Sequence, residues 1–192
     1  MSAGPRDRLI ESAIELVREQ GVHGTGLAAL LDRSRASRNS LYQHFPAGKG
    51  ELVEEATRVA GERMTAVLAR ITAVGSARQW LEHLINWWRK NLETTSFTAG
   101  CPVVSAALAE SEPRVQAAAA HAFEEWTELV ANALSRDGIP ADRARSLAGS
   151  LLSAIQGAVI QARALKSTRP LADVRDQLAV LLTEQPATTS RE

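Results

Sequence analysis

A chain of 192 residues with 45% apolar content can bury a substantial core. Its 22 basic and 22 acidic residues cancel, which argues against a general polyanion binder but leaves room for a local patch. The lone Cys101 excludes an intramolecular disulfide and is too few for a cysteine zinc site, so a reducing, cytoplasmic setting is the simplest expectation.

Helical periodicity runs through nearly the whole chain, and strand alternation is nowhere convincing. Residues 6–20 put Leu9, Ile10, Ala13, Ile14 and Val17 on one face, with Gly21 as the stop. The stretch TGLAALLDRS predicts a short second helix capped near Thr25. A third, of about two turns, starts after Ser37 and ends before Pro46, because proline cannot continue a helix and biases Phe45 away from helical angles. From Lys49 a long helix is expected to about Val74, and Ser76 can cap the next, which carries Trp80, Trp87 and Trp88. The segment TTSFTAGCP reads as a loop, followed by a short helix over 102–109 and a longer one over 112–136. Gly138 and Pro140 punctuate the join to a helix ending near Lys166, and Pro170 suits the first turn of a last helix to about Thr183. The tail, about residues 185–192, reads as disordered. The first residues lack the apolar core of a secretory signal, and no uncharged apolar run reaches the roughly 18 residues of a membrane span. The expected fold is all-α: a three-helix head over 1–48 and a body of about six helices over 49–192.

Charge is not spread evenly. From Arg33 to Lys49 stand Arg33, Arg35, Arg38 and Lys49, and no carboxylate. A solvated basic loop would account for the charge alone. The order of the surrounding residues says more. Three helices with a tight turn between the second and third is the pattern of a helix-turn-helix, which lays its last helix in the DNA major groove. Such a helix must be short, exposed and rich in donors for phosphates and base edges. In SRNSLYQHF, Leu41 and Phe45 can anchor the helix from one side, leaving Arg38, Asn39, Ser40, Tyr42 and Gln43 outward, with His44 nearby.

Residues Gly21 to Leu52, GVHGTGLAALLDRSRASRNSLYQHFPAGKGEL, resemble the DNA-binding head of the TetR/AcrR family of transcriptional regulators. In the body, GCPVVSAALAE after a Phe-containing loop is similar to the LmrA/YxaF-like branch, as is PAGKGEL. Two departures stand out: Arg35 occupies a turn position where the family usually has glycine, and Asn39 replaces a second glycine. The resemblance implies that Tyr42 and Lys49 contact phosphates, and that Thr25 and Gly26 hold one at the second helix start. It also implies that Arg35, Ser37, Arg38, Asn39, Ser40 and Gln43 serve base edges or the adjacent backbone. His44 is as well explained by capping or packing.

The family resemblance further implies a homodimer on a palindromic operator and a small lipophilic effector in the body, with no cofactor, no metal and no membrane partner. One row of small residues, Gly149, Ser153 and Gly157, and a second through Ser150 allow close helix approach. With Leu171, Val174 and Leu178 they would form half of an intermolecular four-helix bundle, although packing within one chain is the simpler alternative. Three Trp on one helix exceed what one side of it can bury. The expected pocket is Trp87, Trp88, Phe97, Cys101, Phe123, Trp126 and Gln156, each of which ordinary core would also explain. The competing classes are a redox-responsive regulator built on Cys101 and a helical protein or enzyme with no DNA role. For an enzyme, no spacing ties His83 or His121 to Cys101, and neither H-E-x-x-H nor a glycine-rich phosphate loop is present. The sequence leaves the operator, the regulated genes and the sense of regulation open.

Overall fold

The computed structural model describes residues 4–183. Among them run nine helices and no strand: α1 (Pro5–Gly24), α2 (Leu27–Ser34), α3 (Arg38–His44), α4 (Lys49–Ile71), α5 (Ala77–Thr94), α6 (Pro102–Ala107), α7 (Pro113–Arg136), α8 (Ala141–Leu165) and α9 (Arg169–Thr183). The expected tail at 185–192 lies outside the described residues.

Local sequence explains most boundaries. Pro5, Pro102 and Pro113 each open a helix, where their missing N–H costs nothing. Gly21 breaks α1 with φ 76°, so its regular part ends there as expected. Two boundaries differ from expectation. Thr25 does not cap α2: Gly26 holds the cap position, and the Thr25 hydroxyl donates backwards to the Gly21 carbonyl at 2.7 Å, which the break in α1 leaves without a helical donor. Helix α4 stops at Ile71, short of Val74: the chain turns out through Gly75 at φ 88°, and the Val74 carbonyl accepts from Trp80 Nε1 at 2.8 Å.

The stripe Leu9, Ile10, Ala13, Ile14 and Val17 makes α1 the joint of the molecule, since it packs on α2 and α3 and also on α4 and α6. Behind it, α4 lies against α7, α7 against α8, and α9 closes over α5 and α8. One apolar cluster runs without interruption from Leu9 to Leu178. Ion pairs Arg6–Glu55 and Arg63–Glu11 tie α1 to α4 along its exposed edge. No helix among the described residues is long and apolar enough to cross a membrane.

Candidate nucleic-acid interface and body cavity

Helix α3 is anchored by Leu41, fully buried, and by Phe45 just past its end. Ser37 caps it, accepting from the Ser40 N–H at 3.1 Å. This leaves Arg38, Asn39, Tyr42, Gln43 and His44 exposed and Ser40 half-buried, on a helix that carries no carboxylate. The neighbouring turn is left-handed at Arg35 (φ 52°, ψ 38°), the conformation glycine would adopt freely, and it presents the Arg35 side chain to solvent. Tyr42 lies over Gly48: a Cβ there would sit 3.3 Å from the ring, and φ is +81°, so glycine lets the chain turn tightly beneath the phenol. The next residue, Lys49, donates to the Thr25 carbonyl at 3.2 Å, which draws the ammonium to the start of α2. Tyr42, Lys49 and the first free N–H groups of α2, beyond the exposed Gly26, thus converge on one small basic surface.

Two expected contributors stand elsewhere. The Thr25 side chain is fully buried, with its hydroxyl spent on Gly21, so its side chain is unavailable to a phosphate here. Arg33 makes a two-point ion pair with Glu19 at 2.9 Å and lies 3.8 Å from Glu15, so it braces α2 against α1. Arg35 and Arg38 pair with no acid among the described residues. His44, at the end of α3, lines a polar cleft of ≈450 Å³ that also reaches Arg6, Glu51 and His121.

The body holds a cavity of ≈160 Å³. Trp87, Trp88 and Asn91 of α5 and Trp126 of α7 form one side; Ala60, Arg63, Met64 and Val67 of α4 form another; Ile14 and Arg18 of α1 and the segment Gly100–Val103 complete it. Trp87 and Trp88 meet edge to face, centroids 4.8 Å apart, as do Phe123 and Trp126 at 5.2 Å. Four expected pocket residues, Trp87, Trp88, Cys101 and Trp126, therefore line one space. Three do not. Phe123 backs Trp126. Phe97 sits in a left-handed turn after α5 (φ 60°), its N–H bonded to the Leu92 carbonyl, which holds it away from the cavity. Gln156 lies behind Cys101, with its buried Oε1 unpartnered. Burial pushes the Cys101 thiol up to about 11. No cluster of three or more His, Cys, Asp or Glu among the described residues could hold a metal.

The loop before Cys101 is sewn to the head. Gly100 donates to the Arg18 carbonyl at 2.9 Å and accepts from Arg18 Nε at 3.1 Å. Arg163 of α8 reaches the carbonyls of Glu19 at 3.1 Å and Thr98 at 2.6 Å. A Cβ on Gly100 would lie 2.8 Å from the Arg163 guanidinium, so that approach requires glycine. On the far side of α8, Ser150 and Ser153 are exposed, and Gly149 and Gly157 are half-exposed with open space beside them. Leu171 and Leu178, expected at an intermolecular face, are instead 1% and 5% exposed because α9 folds them onto its own chain, and Val174 is half-buried. The exposed apolar groups nearby are Ile160, Leu165, Val180 and Leu181.

Two family descriptions match this chain: bacterial regulatory proteins of the tetR family over residues 9–56, and the C-terminal domain of LmrA/YxaF-like transcriptional regulators over residues 77–177. An HTH-type transcriptional regulator of Mycobacterium tuberculosis (strain ATCC 25618 / H37Rv) is 39% identical over 191 residues, 95% of this chain and 97% of that one. The chain belongs to the TetR family of transcriptional regulators. It is a helix-turn-helix, DNA-binding regulator with LmrA/YxaF-like features in its body. Solved structures share the fold. A TetR regulator from Legionella pneumophila matches with TM-score 0.83 at 20% identity, covering 95% of this chain and 99% of that one. The regulator CifR, solved as a cysteine mutant with 26-bp double-strand operator DNA, matches with TM-score 0.77 at 21% identity, covering 94% and 98%.

Within this TetR-family frame, sequence reading missed Ile14, Arg18 and Arg63 as cavity residues. Arg18 follows Ile14 by four residues, so a cation on the apolar face of α1 was the available signal.

Proposed function

We propose that this regulator is a homodimeric repressor, released from a palindromic operator when a small lipophilic ligand enters the body cavity. One observation carries the reading: α1, which supports α2 and α3, itself supplies Ile14 and Arg18 to the cavity wall. A molecule in the cavity therefore touches the head's own scaffold as well as α4. The DNA contacts proposed are Arg35, Arg38, Asn39, Ser40, Tyr42, Gln43 and Lys49, with Ser37 and Gly26 supplying backbone positions. The family neighbour solved on operator DNA supports a duplex target. Two heads need a twofold partner, and the small-residue face of α8 with Ile160 and Leu181 is the surface proposed to supply it. Half-sites would then lie about 34–36 Å apart or a multiple of that spacing. To swing the population from 1:99 to 99:1, a ligand must prefer one state by about 5.5 kcal/mol.

The redox alternative is disfavoured by the thiol itself. Burial pushes its pKa well above the ordinary thiol range, so Cys101 stays protonated at neutral pH, and it is 5% exposed. Cys101→Ser is expected to leave any oxidant response unchanged. The same neutral, buried thiol makes a poor nucleophile, so no catalytic role is proposed.

The deciding experiment is footprinting of the DNA upstream of the regulator's own gene across a salt series, followed by a lipophile screen on the protected site. A protected palindrome whose log K falls steeply with log salt supports phosphate-dominated twofold recognition. A binding site without twofold symmetry, recovered by selection from random DNA, overturns the dimer reading. Operator affinity indifferent to every lipophile overturns ligand release.

A further inference from the structure

The cavity wall is apolar over most of its extent, yet two guanidinium groups line it and no carboxylate does. The two cations are not equivalent. Arg63 is held by Glu11 in a two-point ion pair, so its charge is already answered. Arg18 meets no acid among the described residues. Its Nε donates to the Gly100 carbonyl at 3.1 Å, and its terminal nitrogens bond to nothing among the described residues. A guanidinium carries five N–H donors, of which four are then unspent. Cys101 beside it stays a neutral thiol, so the wall supplies no anion of its own.

A half-buried cation with unspent donors at an apolar wall favours an anion that can accept from it in two places. The space limits what else that anion can carry. At ≈160 Å³ the cavity is close to the roughly 150 Å³ that accommodates benzene in an apolar protein interior. Trp87, Trp88 and Trp126 offer ring edges and faces, suited to one aromatic ring or a short alkyl chain.

We infer that the effector is a small organic carboxylate, single-ring or short-chain, whose apolar part lies among Trp87, Trp88 and Trp126 and whose carboxylate is held by Arg18. This rests on the reading of the cavity as the effector site. It adds the chemical class and the residue that selects it. It also gives the ligand's charge a direct hold on the head, because Arg18 belongs to α1 and its backbone carbonyl is the one that Gly100 binds.

The test is calorimetric titration of the full-length protein with benzoate, phenylacetate and hexanoate, each against its own amide. The acids are expected to bind about tenfold or more tightly than the amides, since the pairs differ in charge and not in shape. Arg18→Gln should erase that preference while leaving amide affinity in place; Arg18→Lys should keep part of it; Trp87→Ala should weaken acid and amide alike. The wild-type comparison needs no variant, so a misfolded substitution leaves the test intact. Equal binding of acid and amide, or a preference that survives Arg18→Gln, overturns the carboxylate assignment and leaves the cavity as an effector site for neutral molecules. Absence of binding by both series up to millimolar concentration, with tryptophan fluorescence unchanged, overturns the assignment. If neutral lipophiles that release the operator likewise leave the Trp87→Ala protein's response unaltered, the cavity reading falls too.

Discussion

The α3 surface and the body cavity use arginine in opposite ways. On α3, Arg38 stands on a short helix that carries no acid, and its surroundings come from a run of residues adjacent in sequence. In the cavity, Arg18 and Arg63 arrive from helices far apart in the chain, and one of them is neutralised by Glu11 before any ligand comes. The contrast shows that a cation's position in sequence says little about its availability. Arg33 lies in the middle of the basic segment and is spent on Glu19, whereas Arg18 lies outside it and has donors to spare.

The largest effect should come from a surface that belongs to neither region. Gly157→Arg adds bulk where a Cβ meets nothing within 4 Å, so the folded chain tolerates it and a partner across α8 does not. Sedimentation should show monomers with unchanged helicity, and operator affinity should fall by about a hundredfold or more as two-headed binding is lost. A dimer that persists with full affinity would move the interface off this face. Next, the two arginines of the basic segment can be set against each other. Arg38→Ala is expected to weaken operator binding by about 10- to 100-fold with no change in Tm. Arg33→Ala should barely alter binding in a gel-shift titration and cost at most about 1 kcal/mol of stability, since its ion pair is partly exposed. Equal losses from both would erase the distinction.

Arg35→Gly separates backbone from charge at one position. Relief of the left-handed strain should contribute about 1 kcal/mol and raise Tm by about 2–4 °C, while the slope of log K against log salt flattens by about one contact. The smallest effect concerns the edge between α1 and α4. Hydrogen bonds from Arg58, and then Arg6, hold the Glu55 carboxyl at about 2, below its ordinary 4.5. A depressed folded pKa contributes stability above the unfolded value and loses it as pH falls from 4.5 towards 2. Because both arginine partners stand about half exposed and are screened by water, the loss should be under about 1 kcal/mol, and Glu55→Gln should flatten that part of a Tm-against-pH curve.

The head was largely legible because its signals are local. Ser37 caps α3, Leu41 and Phe45 anchor it, and Pro46 follows its end, all within one short segment. Thr25 was misread because a hydroxyl before a helix has two local options, and the break at Gly21 offers the nearer one. In the body, periodicity identified which residues share a face but not what covers it, so Leu171 and Leu178 read as an intermolecular seam although their own chain buries them. Tryptophan crowding and the Gly-Cys-Pro loop pointed to four residues, of the seven expected, that line one cavity. The cations were not legible, because Arg18 and Arg63 meet the pocket only after α1 and α4 have docked.

Arg163 joins the carbonyls of Glu19 and Thr98, bonds that span 144 and 65 residues of chain. Contacts of such reach cost loop-closure entropy before they return anything, so they are expected to form after the local helices have condensed. Once made, they close the chain into a ring of mutual dependence: α1 cannot fray at its C-terminal end without freeing a guanidinium on α8 and the loop between α5 and α6. Head and body are therefore tied by bonds that cross most of the sequence, and a single cooperative transition is the expected outcome of a calorimetric melt.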